Sequence, residues 1–195
     1  MCLEFNELVP DVLSLEEYKY HQSKKDFKIH NDESNGREVF IEFETLPPNY
    51  KKAINFFYGD PYKYYCEQQI LKTLKFDYKA QEFFQNYNLE NGKMLPGADY
   101  DQQGKKQINY VQRYTEAANW LNLFIELTSD KAIIKKEFNV TISQFWTLSI
   151  DLMKAKQINL PYSYKRLKQK IKGYQEEGYP YLIETHKFGN DYAKK

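Results

Sequence analysis

Thiols are nearly missing from this chain: among its 195 residues only Cys2 and Cys66 carry one. Neither lies in a CxxC or His-rich neighbourhood, which excludes a disulfide framework and a zinc knuckle and fits a reducing cytoplasm. Long apolar runs are missing too. None approaches the roughly 20 residues that cross a bilayer, and the opening MCLEFNELVPDVL has no basic flank before an apolar block, so neither a membrane partner nor export is expected. Histidine is sparse: His21, His30 and His186 are scattered, and no HExxH, GxSxG or phosphate-binding glycine loop accompanies them. Each is read as a surface residue. The paired acids Glu16 and Glu17, and Glu176 and Glu177, are adjacent in sequence and so diverge on a helix, which gives no shared acid/base site. The expectation is a non-enzymatic chain with no catalytic residues, no metal and no cofactor.

What is present is a folded composition. Hydrophobic residues make up 42% and aromatics 17%, too apolar for a disordered chain and too interrupted by charge for a membrane one. The clusters Phe56, Phe57, Tyr58 and Tyr62, Tyr64, Tyr65 have the chemistry to stack bases, but core packing is the reading favoured for them.

Net charge is only +1, yet its distribution is uneven. Residues 131–195 hold 13 Lys and Arg against 6 Asp and Glu, a net +7, while residues 1–130 hold 15 against 21, a net −6. Acids are wholly missing between Leu152 and Gln175, where Lys154, Lys156, Lys165, Arg166, Lys168, Lys170 and Lys172 form a patch of one sign.

The expected fold is mainly α, in three parts. Residues 1–48 read as a small α+β, winged-helix-like unit. Ser14 and Glu17 form a capping box for a short helix, and a β-hairpin follows, with strands over 26–30 and 37–44 and Gly36 in the turn NDESNG. Val39, Ile41 and Phe43 alternate onto one buried face. Pro47 and Pro48 close the unit because neither donates a ladder hydrogen bond. Residues 49–100 read as a connector of short helices broken at YGDP and NGKMLPG. Residues 101–195 read as a helical, helix-turn-helix-like domain. In it, Ile108, Val111, Ala118, Leu121, Phe124 and Ile125 stripe a long helix over 106–127. Ser129 or Asp130 caps a short helix over 132–138, Thr141 or Ser143 caps one running to about Lys156, and Ser163 caps a last one over 164–177 that Gly178 stops.

In that last helix Leu167, Ile171 and Tyr174 are spaced to face inward, which leaves the cations outward. A helix fits the major groove of a duplex, and each Lys or Arg that neutralises a phosphate releases counterions. The expected contacts are Lys154, Lys156, Ser163, Tyr164, Lys165, Arg166, Lys168, Lys170, Lys172 and Lys187. Arg166 is the candidate for a base edge or a bidentate phosphate bond, and the lysines position the helix. A solvated Lys-rich face is the plainer alternative, weakened by the missing acids. For the hairpin, a DNA-binding wing flanked by Lys24, Lys25 and Lys28 and an ordinary structural turn both stand, since Asp32 and Glu33 at its tip suit phosphate poorly.

The segment LPYSYKRLKQKIKGYQEEGYPYLI with HKFGN resembles the helix-turn-helix tail that precedes the catalytic domain in DDE-type transposases and integrases, through Arg166, Leu167, Lys170, Tyr174, Gly178, Leu182, Ile183, Lys187, Gly189 and Asn190. REVFIEFETLPPNYKKAI with YGDPYKYY is similar to the N-terminal part of such proteins, of the bacteriophage Mu-like kind found in Bacteroidetes. The resemblance implies recognition of transposon-end duplex DNA, with the catalytic domain absent from this chain, and a second copy or a separate catalytic subunit as further partners. The alternative is a protein-interaction or oligomerisation module, using the long helix and the aromatic middle, whose basic face is incidental.

Overall fold

The computed structural model of the chain describes residues 2–4, 8, 12–31, 39–90, 92–101, 103–129, 131–184 and 188. The hairpin tip with Asp32, Glu33 and Gly36, the cap candidate Asp130, and His186, Lys187, Gly189 and Asn190 lie outside the described residues. The fold is mainly helical. It divides into two compact units, Met1–Tyr65 and Cys66–Lys195, rather than at the expected boundaries of 48 and 100.

The first unit contains β1 (Cys2–Glu4), α1 (Leu15–Lys24), β2 (Ile29–Asn31), β3 (Val39–Glu42) and α2 (Pro48–Tyr58). The Ser14–Glu17 capping box opens α1, with the Ser14 hydroxyl accepting from Glu17 N and the Glu17 carboxylate accepting from Ser14 N. The sheet is three-stranded and antiparallel in the order β1-β3-β2, with Ile41 opposite both Leu3 and Ile29. β2 starts at Ile29 rather than at 26, and β3 gives way after Glu42 rather than after 44. Lys25 turns into the left-handed region at φ 55°, so Asp26–Lys28 serve to reverse the chain, and Phe43–Thr45 tightens into a 3₁₀ turn after β3. Ile41 and Phe43 are buried as expected, in a core with Leu8, Leu13, Tyr18, Phe27, Leu46, Tyr50 and Ile54. The two prolines correct their expected role: Pro47 takes the N-cap position and Pro48 the first helical one of α2. The missing N–H is one the helix start leaves unbonded anyway.

α3 (Pro61–Thr73) carries the boundary between the units. The Asp60 carboxylate accepts from Tyr62 N, supplying its start. The second unit continues with α4 (Tyr78–Gln85), α5 (Tyr110–Ser129), α6 (Lys131–Phe138), α7 (Ile142–Ala155), α8 (Tyr164–Glu177) and a 3₁₀ turn, Tyr179–Leu182. The middle of the chain is no mere connector. Cys66, Ile70, Ala80, Phe84, Leu89 and Leu95 enter the same core as Trp120, Phe124 and Trp146, and burial with the Glu67 charge pushes the Cys66 thiol up to about 11. The long helix begins at Tyr110 rather than at 106, because Asn109 Oδ1 accepts from Gln112 N and Lys106 is engaged in a bridge with Tyr100. Ile108, expected in the apolar stripe, is exposed; Val111, Ala118, Leu121 and Phe124 are buried.

α5 is the spine of this unit, buried on most sides by its own chain. Trp146 of α7 stacks on Phe124 at 4.9 Å, and Thr141 caps α7 with a reciprocal Gln144 bond. In α7 the Ser149 hydroxyl is fully buried with no hydrogen-bond partner among the described residues. An unpaired buried hydroxyl costs about 1–3 kcal/mol. Ser149→Ala is therefore expected to raise stability by about 1 kcal/mol, read as a higher urea midpoint at unchanged slope.

Candidate nucleic-acid interface

α8 forms where Leu167, Ile171 and Tyr174 recur on one side, and all three are buried. Ser163 occupies the N-cap position with extended backbone, but its side chain makes no capping bond, so the first-turn amides of α8 keep their donors. Gly178, at φ 70°, takes the backbone out of the helix. α8 lies against α5 and the turn that follows it, and the Trp146 and Tyr164 rings meet edge-on at 5.2 Å between α7 and α8.

A polar chain anchors this helix from behind. Tyr174 Oη donates to Asn122 Oδ1 at 3.1 Å, Asn122 Nδ2 donates to Asp77 Oδ2 at 2.8 Å, and Tyr179 Oη donates to the same carboxylate oxygen at 2.9 Å. Asp77 also caps α4 by accepting from Ala80 N at 3.0 Å. Burial first, then the neighbouring Tyr179 and Asp77, hold the Tyr174 hydroxyl well above the usual tyrosine range. Burial with the Asp77 bond pushes Tyr179 up to about 12. Both raised values favour the protonated phenol in the fold. Their contribution is thus complete below the unfolded value near 10 and is lost as pH climbs through the folded ones. A spectroscopic tyrosinate titration is expected to show Tyr179 ionising late, and the folded signal collapsing between about pH 10 and 12.

The expected contact residues divide into groups. Lys154, Lys156, Ser163, Tyr164, Lys165, Arg166 and Lys168 are exposed. Among the described residues no carboxylate pairs with Lys154, Lys156, Lys165, Arg166 or Lys168. Lys168 Nζ lies 4.6 Å from the Tyr164 ring centre. Lys172 is exposed but sits 3.7 Å from Glu176, one turn on, just past the acid-free stretch. Lys170 departs from expectation: it is half-buried, donates to the Tyr181 carbonyl at 3.0 Å and lies over the Tyr181 ring at 4.3 Å. Lys187 lies outside the described residues.

At roughly 100° per residue, Lys165, Lys168 and Lys172 fall in one sector, whereas Arg166 points about a third of a turn away, toward the side of Lys170 and Gly173. On that side the Tyr181 ring covers Gly173 so closely that a Cβ there would overlap it. The cationic surface is a lysine face with an arginine on its flank.

Two features escaped the sequence reading. His21 is half-buried: its Nδ1 meets Asp26 Oδ2 at 2.8 Å and its Nε2 meets the Tyr50 hydroxyl at 3.2 Å. Tyr50 is itself buried, and burial followed by the Glu17 charge raises its hydroxyl above the ordinary value, which suits a clasp between α1 and α2 and not an accessible nucleophile. Capping of α1 by Ser14–Glu17 was legible because it is local; the His21–Tyr50 pair spans 29 positions and no pattern announces it. The aromatic clusters also differ from their expected core role. Phe56 is 84% and Phe57 60% exposed, in mutual ring contact at 5.3 Å, and Tyr62, Tyr64 and Tyr65 are exposed too.

Among the described residues no His, Cys, Asp and Glu group is arranged to hold a metal ion, and no helix is long and apolar enough to cross a membrane. No family model, curated protein or solved structure matches the chain.

Proposed function

We propose that the chain binds double-stranded DNA through α8, as a non-enzymatic recognition module of the kind that transposases use on transposon ends. The observation that carries this reading is the exposure of Lys165, Arg166 and Lys168 on one helix with no carboxylate pairing among the described residues. Lysines with no carboxylate partner among the described residues are placed to release counterions from a phosphate row. Lys154 and Lys156, exposed at the end of α7, extend the same charge. The uncapped first turn of α8 adds donors and the positive end of the helix dipole near Ser163.

In its finer form, α7 and α8 act as a helix-turn-helix, with Arg166 reading a base edge and the lysines positioning the helix on the backbone. The N-terminal hairpin contributes less, because Lys28 faces Glu42 at 3.7 Å and Lys24 lies over the Tyr20 ring. The test is anisotropy with a labelled duplex carrying the terminal repeat of the neighbouring element, against a random duplex at matched salt. The expected result is a marked preference for the repeat that Arg166→Ala weakens. Equal binding to both duplexes rejects sequence recognition, and no binding rejects the duplex altogether.

A second reading, an interaction or oligomerisation module, draws on the exposed Phe56 and Phe57. Exposed aromatic surface of this kind marks association faces. The long helix expected to serve that role is not free to do so, since α5 is covered by its own unit. Sedimentation separates the readings: a stable oligomer with no salt-sensitive DNA affinity favours the second.

A further inference from the structure

A cleft of about 470 Å³ opens between α4 and the turn that follows α8, within the roughly 300–1,000 Å³ of small-molecule sites. Its wall is aromatic. Phe83, Tyr87 and Tyr179 line it, all half-buried, and Phe83 touches both of the others, with ring centres 5.6 Å from Tyr87 and 5.4 Å from Tyr179. The two sides are tied together, because the Asp77 carboxylate caps α4 at Ala80 N and also takes the Tyr179 hydroxyl. The rings are therefore in place before any ligand arrives, which spares the cost of ordering them. Around them stand the exposed polar side chains of Lys79, Glu82, Asn86 and Asn88. Lys79, Glu82, Phe83 and Asn86 share a face of α4 and its end, at spacings of three and four residues. Asn86 Nδ2 donates to the Glu82 carbonyl at 3.0 Å. A carbonyl only accepts, so this bond fixes the amide orientation and leaves Asn86 Oδ1 as an acceptor at the rim. The Asn88 amide engages no other group among the described residues, and a backbone bridge to Met94 holds its position.

From this arrangement we infer that the cleft binds a nucleobase, presented by a free nucleoside or by an unpaired strand. Every base has a flat π-face that stacks on an aromatic ring. Its edge carries donors and acceptors together, and a primary amide both donates and accepts, so Asn86 and Asn88 suit that edge. Charge narrows the class further. Among the described residues neither Lys79 nor Glu82 has an ion-pair partner, and the rim holds one charge of each sign. A simple cation meets Lys79 and a simple anion meets Glu82, whereas a neutral ring is opposed by neither. The inference stands apart from the duplex reading: bases inside a duplex are already stacked on one another, and none of the α8 cations lines this cleft.

The test is an NMR titration of the full chain with adenosine and, separately, with a short single strand of deoxyadenylate. Saturable shifts are expected at Phe83, Tyr87, Asn88 and Tyr179, at adenosine concentrations on the order of 1 mM. Tighter binding of the strand assigns the site to an unpaired strand, and equal or weaker binding assigns it to a free nucleoside. Tyr87→Leu, which removes one ring and keeps apolar bulk, is expected to weaken adenosine binding roughly 5- to 100-fold. Asn88→Ala, at an exposed position, is expected to weaken it roughly 3- to 10-fold, the worth of one hydrogen bond, and decides should the Tyr87 variant fail to fold. Lys79→Gln and Glu82→Gln are each expected to change it less than about twofold, because adenosine carries no charge. No saturable shift by about 10 mM adenosine overturns the inference. So do shifts confined to α8, and so does unchanged affinity in both Tyr87→Leu and Asn88→Ala. Tetramethylammonium or inorganic phosphate saturating the same residues at lower concentration than adenosine also overturns it, since the cleft is then a site for charge.

Discussion

Asp77→Ala is expected to destabilise the second unit by about 3 kcal/mol, the largest single effect on stability among the polar residues described. The side chain does three things at once. Its Oδ1 accepts from Ala80 N at the start of α4, while its Oδ2 takes both Asn122 Nδ2 and the Tyr179 hydroxyl. Loss of a helix cap costs about 1 kcal/mol, and each bond to a carboxylate roughly 1.5–3 kcal/mol. These terms share one residue and do not add in full. Asn119, buried in α5, binds the Asp77 backbone N–H at 2.8 Å and is untouched by the substitution. Asp77→Asn, which keeps the shape and the cap, is expected to lose about half as much. Thermal melts followed by circular dichroism measure both. If the two variants melt like the parent, Asp77 is not the junction of α4, α5 and the turn beyond α8.

Replacing Lys165, Arg166 and Lys168 together with glutamine is expected to weaken duplex binding at least about a hundredfold at low salt. It should also flatten the plot of log affinity against log salt by about 2, at roughly 0.9 for each of the two phosphates that Lys165 and Lys168 no longer neutralise. All three side chains are exposed, so the fold should be unaffected and the melting temperature a sufficient control. A matched triple at Lys19, Lys52 and Lys72, exposed lysines elsewhere, removes the same charge and is expected to leave both slope and affinity near the parent values. Equal losses in the two triples mean that only net charge counts.

Local signals in the sequence carried far. Ser14 with Glu17, Thr141 as one of two cap candidates, and Gly178 each place a helix end through bonds within a few residues, and the structure has those ends. The alternation of Ile41 and Phe43, and the spacing of Leu167, Ile171 and Tyr174, survive for the same reason: periodicity records which side is buried. The failures were those of distance. Nothing local says that Phe84 and Cys66 belong to the core of Trp120, so a stretch punctuated by Gly and Pro looked like a connector. Phe56 and Phe57 are apolar enough to suggest a core, but they face outward once Ile54 has taken the inward position of α2. Lys170 counted as one cation among seven until the chain returned after Gly178 and laid Tyr181 across it.

The surface proposed for DNA was legible as charge but not as shape. The missing acids between Leu152 and Gln175 pointed to α8, and exposed Lys165, Arg166 and Lys168 agree. The separation of Arg166 from the lysine sector follows from helical phase, which a count of cations does not convey. Lys172 shares its charge with Glu176, so the number of phosphates neutralised should be smaller than the number of cations counted.

The most direct measurement is the map of amide and side-chain NMR shifts on adding a short duplex at low and then physiological salt. The account predicts shifts concentrated at Lys165, Arg166, Lys168 and the first turn of α8, receding as salt rises, with Lys170 disturbed less than its neighbours. Shifts gathered instead on Phe56, Phe57 and the rest of the first unit, or none anywhere along α8, contradict it.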